Sequence, residues 1–428
     1  MKKRASRKTN EVSRRDFIKA SAAVSMAAVL GGQERLFAAG SDKIRVGLIG
    51  SGGQGTRDTI SCLKSSRGIE LVAMGDLFGD RLNESLEKLK GEEISDKVNV
   101  TPERCFIGFD AYKKVIASDV DLVLIVTPPH FHPQHAKAAI EAGKHVFAEK
   151  PAAVDPVGIR SLIATSELAE QKGLSIVAGT QRRHNAPHLE VMKRIHRGDI
   201  GEIVAAQCYY NIGQMVGYWT YYEKGGLSDM EWQCRNWPWF TWLSGDHIVE
   251  QHVHNLDIIN WALQSHPVQA MGMGGREVRK LGNIFDHFAV EYEYPNGVRV
   301  LSMCRQIEGC SIREGERFVG TKGIAHGNGV IEGQNPYKFE GEFTDPYEQE
   351  QIDLIASIRQ GKPLNHGRRL AESTMTAIIG RMSAYTGRAL KWDWAMNASK
   401  LDLSPPAYDF DIDFPASPPA VPGKTQLI

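Results

Sequence analysis

Cysteine is scarce and scattered in this 428-residue chain: Cys62, Cys105, Cys208, Cys234, Cys304 and Cys310 never form a CxxC pair. That spacing excludes a zinc ribbon and argues against a disulfide scaffold. Net charge is missing as well. The 51 Lys and Arg are matched by 51 Asp and Glu, so the overall basic footprint expected of a nucleic-acid binder is absent. Long apolar runs are absent too, which excludes a polytopic membrane chain. Compositional bias is equally lacking: at 42% hydrophobic, 24% charged and 8% aromatic, the chain is neither collagen-like nor disordered. No internal repeat is visible, and the length gives room for two domains with full cores.

What is present begins with an address at residues 1–38. Lys2, Lys3, Arg4, Arg7 and Lys8 precede Ser13-Arg14-Arg15-Asp16-Phe17-Ile18-Lys19, and a weakly apolar run from Ala20 to Gly32 leads to small residues at Ala38-Ala39. A basic start, a short apolar stretch and a small-residue exit make the layout of a signal peptide; the stretch is too short for a permanent membrane anchor. The pattern S-R-R-x-F-I-K resembles the bacterial twin-arginine (Tat) signal. That resemblance implies export of the folded protein by the Tat machinery to the periplasm or beyond, with cleavage expected after Ala38. The address also explains the neutral total. The first 38 residues carry nine Lys and Arg against three Asp and Glu, leaving 42 against 48 in the remainder, a balance of −6. An acidic mature chain further disfavours nucleic acid as a partner.

The next segment has the pattern of a dinucleotide cradle. Lys43 to Ile49 reads as a buried strand, followed at once by Gly50-Ser51-Gly52-Gly53-Gln54-Gly55 and a helix running to about Ser65. Gly50 permits the tight turn, Gly52 lets backbone amides approach a pyrophosphate, and Gly55 lets the helix lie close on the strand. A lone GxGxxG is a weak signal, but strand before, helix after and an acid at the end of the second strand make it specific. That acid is Asp76. A carboxylate there accepts ribose hydroxyls and repels a 2′-phosphate, so NAD is expected over NADP, although Arg81 one turn on keeps NADP open. Strands and helices then alternate through Ala178, which predicts a doubly wound parallel sheet of the Rossmann type over residues 41–180. Thr127, Pro128, His132, Glu149 and Lys150 fall near the carboxyl ends of its strands, where ligands of such sheets bind.

The stretch from Asp121-Leu122-Val123-Leu124-Ile125-Val126-Thr127-Pro128-Pro129 to Glu149-Lys150-Pro151, with the glycine loop upstream, closely resembles the Gfo/Idh/MocA oxidoreductases, which include glucose–fructose oxidoreductase and inositol dehydrogenase. The resemblance continues through Gly179-Thr180-Gln181-Arg182-Arg183 and Gly198-Asp199-Ile200-Gly201, and resumes at residues 347–361. It implies an α+β second domain with an open, mostly antiparallel sheet, here residues 181–345. Helices at 346–400 and a Pro-rich extended tail at 401–428 follow; whether that tail lies on this subunit or a neighbour, or is disordered, stays open. Homo-oligomerisation is also expected.

In the family a D-x-x-x-H-x-x-D helix faces the nicotinamide, and the aligned stretch here is Glu250-Gln251-His252-Val253-His254-Asn255-Leu256-Asp257, with Glu250 in place of the usual Asp. Spacing of four and then three is expected to put Glu250, His254 and Asp257 on one helical face, with the carboxylate raising the basicity of His254. The expected roles are His254 as general base and Lys150 as hydrogen-bond donor to the same substrate oxygen and proton relay, with Glu250 completing the catalytic set. Arg183 and Asp257 are expected to position substrate, together with Tyr210 and Trp237. Eleven aromatics crowd residues 209–242, suited either to packing against sugar faces or to a core or subunit interface. The histidines at 130, 132 and 135, and at 247, 252 and 254, suggest metal ligands, but His252 and His254 would point apart on a helix, so no metal is expected.

The function these features support is an exported NAD-dependent oxidoreductase that acts on a secondary hydroxyl of a sugar, cyclitol or glycoside. Because a periplasm offers no useful pool of free nucleotide, the cofactor is expected to stay bound through many turnovers. Two alternatives remain at this stage: an NAD-dependent glycosidase that works by transient oxidation and elimination, and a non-catalytic sugar- or nucleotide-binding regulator.

Overall fold

The computed structural model describes residues 43–213 and 221–428; the export address, Tyr218 and Trp219 lie outside the described residues. The first sheet is made of β1 (Ile44–Ile49), β2 (Ile69–Asp76), β3 (Cys105–Ile107), β4 (Leu122–Ile125), β5 (His145–Glu149) and β6 (Ile176–Gly179). Its order is β3-β2-β1-β4-β5-β6 and every pairing is parallel. Helices cover both faces, so the central strands are apolar on both sides. Val46, Leu48, Leu122 and Leu124 belong to one core, while Ile49, Val123 and Ile125 belong to the other. Strand order reverses between β1 and β4, and a ligand crevice is expected at the carboxyl ends of those strands.

The second sheet has nine strands: β7 (Ile203–Ile212), β8 (Gln269–Gly275), β9 (His287–Glu293), β10 (Arg299–Gln306), β11 (Arg313–Gly320), β12 (Gly323–His326), β13 (Val330–Gly333), β14 (Tyr337–Lys338) and β15 (Leu390–Lys391). In the order β14-β13-β12-β11-β7-β10-β9-β8-β15, only β7 and β10 pair in parallel. The protein is thus an α/β Rossmann unit joined to an open, mostly antiparallel sheet. One face of that sheet buries Cys208, Val290, Tyr292, Val300 and Phe318 in the common core with Ile258, Ile378 and Ile379 of two helices. The other face leaves Met271, Met273, Leu301 and Met303 exposed.

The C-terminal helices do not form a layer of their own. Helix Pro346–Arg359 places Leu354 and Ile355 in the Rossmann core. Helix Gly367–Thr386 lies between the two sheets and carries the fully buried Arg381, whose guanidinium donates to the carbonyls of Val154 (2.8 Å) and Gly245 (2.9 Å). Such bonds satisfy backbone acceptors that would otherwise be buried without partners.

The aromatic-rich segment and the tail answer each other. Met230, Cys234, Trp239, Phe240 and Trp242 share a third core with Phe78 and Phe131, against which Tyr408, Phe410, Ile412 and Phe414 pack. Proline prevents helix in the tail, and its alternating pattern turns the apolar side chains inward while Asp409, Asp411 and Asp413 stay exposed. Phe410 stacks on Phe78 (6.0 Å) and lies 5.1 Å from Phe109, while Tyr408 shares a 2.8 Å hydrogen bond with His130. The tail therefore packs as an arm along the aromatic segment and Phe78 of the same chain.

Candidate active site

A cleft of about 1100 Å³ opens where β1 and β4 diverge. Its floor is the glycine loop. Gly50 has φ +96°, and a Cβ there would lie 2.5 Å from the Val126 carbonyl; a Cβ on Gly55 would meet the Gly50 carbonyl at 2.0 Å. Those two glycines are needed for the turn and for the close helix. Around Gly52 and Gly53 the space is open, with only the Arg81 guanidinium within 4 Å of a Cβ on Gly52. Helix Gly53–Lys64 starts without a side-chain cap, and its first residues line the cleft. Open space beside uncapped helical amides fits a pyrophosphate.

Asp76 closes the loop: its carboxylate accepts the amides of Ser51 (2.6 Å) and Phe78 (2.9 Å). Two of its roughly four acceptor positions remain for ribose hydroxyls. Thr127 and Pro128 form the opposite wall, and Glu149 lies deeper, accepting from its neighbour's amide at Lys150 (2.9 Å) and from Gln54 Nε2 (3.2 Å). A Cβ on Gly179 would come within 2.6 Å of the Glu149 carboxyl carbon, so glycine there makes room for it.

The chemistry-bearing groups sit where β5 ends against a broken helix. His247–Glu250 and Val253–Leu263 are separate helices with Gln251 and His252 between them. In an unbroken helix the Glu250 carbonyl would accept the amide of His254. That amide goes instead to the Gln251 carbonyl at 3.2 Å. Lys150 Nζ uses the freed carbonyl, donating to it at 2.8 Å and to Glu250 Oε1 at 2.9 Å. An ammonium has three protons, so one remains for a ligand in the cleft. Burial works against the charge on Lys150, but Glu250 and Glu149 outweigh it and hold the ammonium above its ordinary range.

His254 and Tyr210 line the same cleft, as does Trp237. The Tyr210 hydroxyl donates to Gln251 Oε1 at 3.1 Å, and burial pushes it up to about 12, so it stays neutral. No protein group hydrogen-bonds the His254 ring among the described residues. Burial, with Lys150 and Arg182 nearby, holds its pKa well below 6.5. The expectation that Glu250 raises the basicity of His254 is therefore overturned: Lys150 claims that carboxylate, and His254 is a neutral imidazole free to accept a proton.

Comparison with known proteins places the chain in a family. The description "Oxidoreductase family, NAD-binding Rossmann fold" matches residues 44–179, and "GFO/IDH/MocA C-terminal domain" matches 188–326. The chain belongs to the GFO/IDH/MocA oxidoreductase family. A twin-arginine translocation signal matches residues 11–31, and no described helix is long and apolar enough to cross a membrane. An inositol 2-dehydrogenase of Klebsiella pneumoniae strain 342 is 26% identical over 220 residues, 51% of this chain and 54% of that protein. A glycosyl hydrolase family 109 protein of Porphyromonas gingivalis is 30% identical over 183 residues, 42% of this chain and 37% of its own length. The chain thus spans about half the length of the first relative and less of the second. Among solved structures, scyllo-inositol dehydrogenase from Lactobacillus casei with bound NAD(H) and scyllo-inositol superposes with TM-score 0.61 at 17% identity, over 82% of this chain and 99% of the other. Aldose–aldose oxidoreductase from Caulobacter crescentus complexed with glycerol gives 0.62 at 18%, over 82% and 99%. These likenesses are of fold.

Three residues expected at the site of this GFO/IDH/MocA protein do not line the cleft. His132 is buried behind the wall, with its ring nitrogens against the carbonyls of Thr127 (2.6 Å) and Pro151 (2.7 Å). Burial pushes its pKa down to about 4, against the two carbonyls, which favour the protonated ring. Arg183 and Asp257, expected to position substrate, form a closed pair instead: Arg183 Nε and Nη2 reach Asp257 Oδ2 and Oδ1 at 2.7 and 2.9 Å, and Ser373 donates to Oδ1 at 2.7 Å. Burial pushes the Asp257 carboxyl up, but Arg183 outweighs it and holds the group below its ordinary range. The helix break separates Glu250 from the helix Val253–Leu263, which carries both His254 and Asp257; Asp257 leaves the cleft because Arg183 and Ser373 hold its carboxylate.

The cleft is lined by the preceding residue, Arg182, and by Gln181, Gln251 and Tyr347, none of which the sequence singled out for a role. Residues 181–184 form a 3₁₀ turn, in which neighbouring side chains point about 120° apart. Tyr347 lay within the stretch of family resemblance, and its hydroxyl accepts from Gln181 Nε2 at 2.9 Å. The aromatic segment divides: Tyr210, Tyr222 and Trp237 reach the cleft, while Trp239, Phe240 and Trp242 are core. No group of three or more candidate metal ligands occurs among the described residues.

Proposed function

We propose that the protein is an exported, NAD-dependent oxidoreductase acting on a secondary hydroxyl of a sugar, cyclitol or glycoside, with its nucleotide retained between turnovers in the periplasm or outside the cell. The observation that carries this reading is the unspent capacity in the cleft: one free proton on Lys150 Nζ and an unpartnered neutral His254 beside a glycine cradle. When bound, the nicotinamide would supply the hydride acceptor, and because it is retained the hydride must pass to a second substrate or return to the product before the next turnover. His254 takes the proton of the substrate hydroxyl as its carbon is oxidised. Lys150 donates to the same oxygen and stabilises the developing alkoxide charge; with its ammonium held by Glu250 and Glu149, stabilising suits it better than relaying protons. Asp76 favours NAD over NADP, since a 2′-phosphate would face that carboxylate.

Retention is supported by the way the adenosine end is covered. Arg235 of the aromatic segment pairs with Asp80 at 3.0 Å and lies 4.0 Å from the Phe78 ring, and the arm packs behind Phe78 through Phe410. These contacts at the Asp76 end of the cleft are expected to slow release of nucleotide. The exposed methionines of the open sheet face support a homo-oligomer built on that face.

A redox-neutral glycosidase is the rival reading, favoured by the family 109 relative. Incubating the purified protein with a panel of sugars and glycosides separates them. Accumulated ketosugar or aldonate with reduction of bound nucleotide supports oxidation. Glycoside cleavage with no net change in nucleotide redox state supports the glycosidase. A protein that binds sugar and nucleotide yet does neither is a regulator.

A further inference from the structure

Resting on the reading of the cleft as a sugar-oxidising site, we propose that a second pocket beside it binds the non-reacting end of the substrate, and that this end carries a carboxylate, as in a uronic acid unit. The pocket, about 390 Å³, lies where the first half of β11 is free of β12. Arg182 and Glu314, paired with each other, line both spaces, so the pocket adjoins the cleft that holds Lys150 and His254. A saccharide longer than one ring, with its first ring at Lys150, reaches the pocket by passing that pair.

The pocket's chemistry selects charge. Its two acids are already engaged: Glu314 pairs with Arg182, and the buried Glu316 accepts from Arg182 Nη1 at 2.9 Å and Asn255 Nδ2 at 2.6 Å. Glycine at 327 leaves room for the Glu316 carboxylate, since a Cβ there would lie 2.1 Å from Oε2. Two further guanidiniums, Arg313 and Arg317, line the pocket without a carboxylate partner among the described residues. Arg313 is held flat, 3.6 Å from the Tyr209 ring centroid. His188, lowered to about 4 chiefly by burial, adds a neutral ring hydrogen-bonded to Asn185 at 2.9 Å. Arg313, oriented over Tyr209, and Arg317, without a carboxylate partner among the described residues, favour an anionic carboxylate over a neutral hydroxyl.

The test is calorimetric titration of the full mature protein with two disaccharides that differ only in having glucuronate or glucose as the non-reacting unit, repeated with Arg313→Ala/Arg317→Ala. Both side chains lie at the surface of a formed sheet, so the variant should fold. Wild type is expected to bind the glucuronate probe about ten- to a hundredfold more tightly than the neutral one. The double substitution should abolish that preference, leave neutral binding unchanged, and leave turnover of a neutral monosaccharide unchanged. Equal binding of the two probes, no binding of either, or a preference that survives the double substitution overturns the proposal. The outcome is separable from the proposed activity. Charge-selective binding without any change in nucleotide absorbance overturns the oxidoreductase reading and leaves the pocket standing; turnover of neutral sugars without charge selection does the reverse.

Discussion

Lys150–Glu250 and Arg183–Asp257 are two buried ion pairs of the same general kind. Each joins a segment at the carboxyl edge of the Rossmann sheet to the same pair of short helices, and their side chains are similarly hidden, at 13% and 8% exposed for the first and 11% and 3% for the second. The Arg183 pair is bidentate, reinforced by Ser373 and turned away from the cleft. The Lys150 pair spends two protons on one partner and keeps a third for the open side. Burial and charge do not distinguish the two pairs; unused hydrogen-bonding capacity facing a cavity does.

Breaking each pair in turn should separate them by turnover, since both substitutions leave a buried carboxylate unpaired. Lys150→Met is expected to lower turnover about 10²- to 10³-fold, and His254→Ala by a similar factor, while nucleotide content on purification is retained. Arg183→Met leaves the Asp257 carboxylate buried and unpaired, which should cost about 3–5 kcal/mol in a denaturant melt with near-normal turnover of the folded fraction. Turnover lost with stability intact would return Arg183 to a substrate role.

The histidines sharpen the same contrast between structural and working groups. Burial lowers His130 and His132 to about 4 and His135 to about 3, against 6.5 for the ordinary side chain. A histidine depressed in the folded state binds its proton more readily when unfolded. Its stabilisation is therefore complete above about pH 6.5 and is lost as pH falls towards 4, by up to about 3 kcal/mol apiece. The melting temperature should drop through that window, whereas the acid limb of kcat/KM assigned to His254 should lie below 6.5. An acid limb near 7 that vanishes in His254→Ala would contradict the neutral-imidazole role. The smallest effect concerns the arm: Phe410→Ala should speed nucleotide release several-fold and cost about 1–2 kcal/mol, since the ring is only partly buried.

The glycine loop, Asp76 and the Glu149-Lys150-Pro151 strand end were legible in the sequence because each depends on a few adjacent residues whose backbone requirements are strict. The partner of Lys150 lies 100 residues away, and its carbonyl becomes available only through a helix break at Gln251–His252 that side-chain spacing does not reveal. Asp257, three residues past His254 on the same helix, is held away from the cleft by Arg183 and Ser373, partners 74 and 116 residues distant. Arg182 and Arg183 look equivalent as letters; a 3₁₀ turn assigns one to the cleft and the other to the core. The alternation of Tyr408, Phe410, Ile412 and Phe414 with acids marked an arm, but its docking on Phe78 and Phe109 is a tertiary fact.

The central claim is that Lys150 and His254 assist oxidation of a sugar hydroxyl by a nucleotide that stays bound. It is tested most directly by recording the near-ultraviolet spectrum of the exported protein as purified, with no added nucleotide, before and after a single addition from a panel of sugars and glycosides. The expected result is a bound nucleotide whose reduced band appears or bleaches with at least one sugar in wild type and with none in Lys150→Met or His254→Ala. A protein that purifies without nucleotide and binds none at physiological levels, or one whose spectral change persists in both variants, would contradict it.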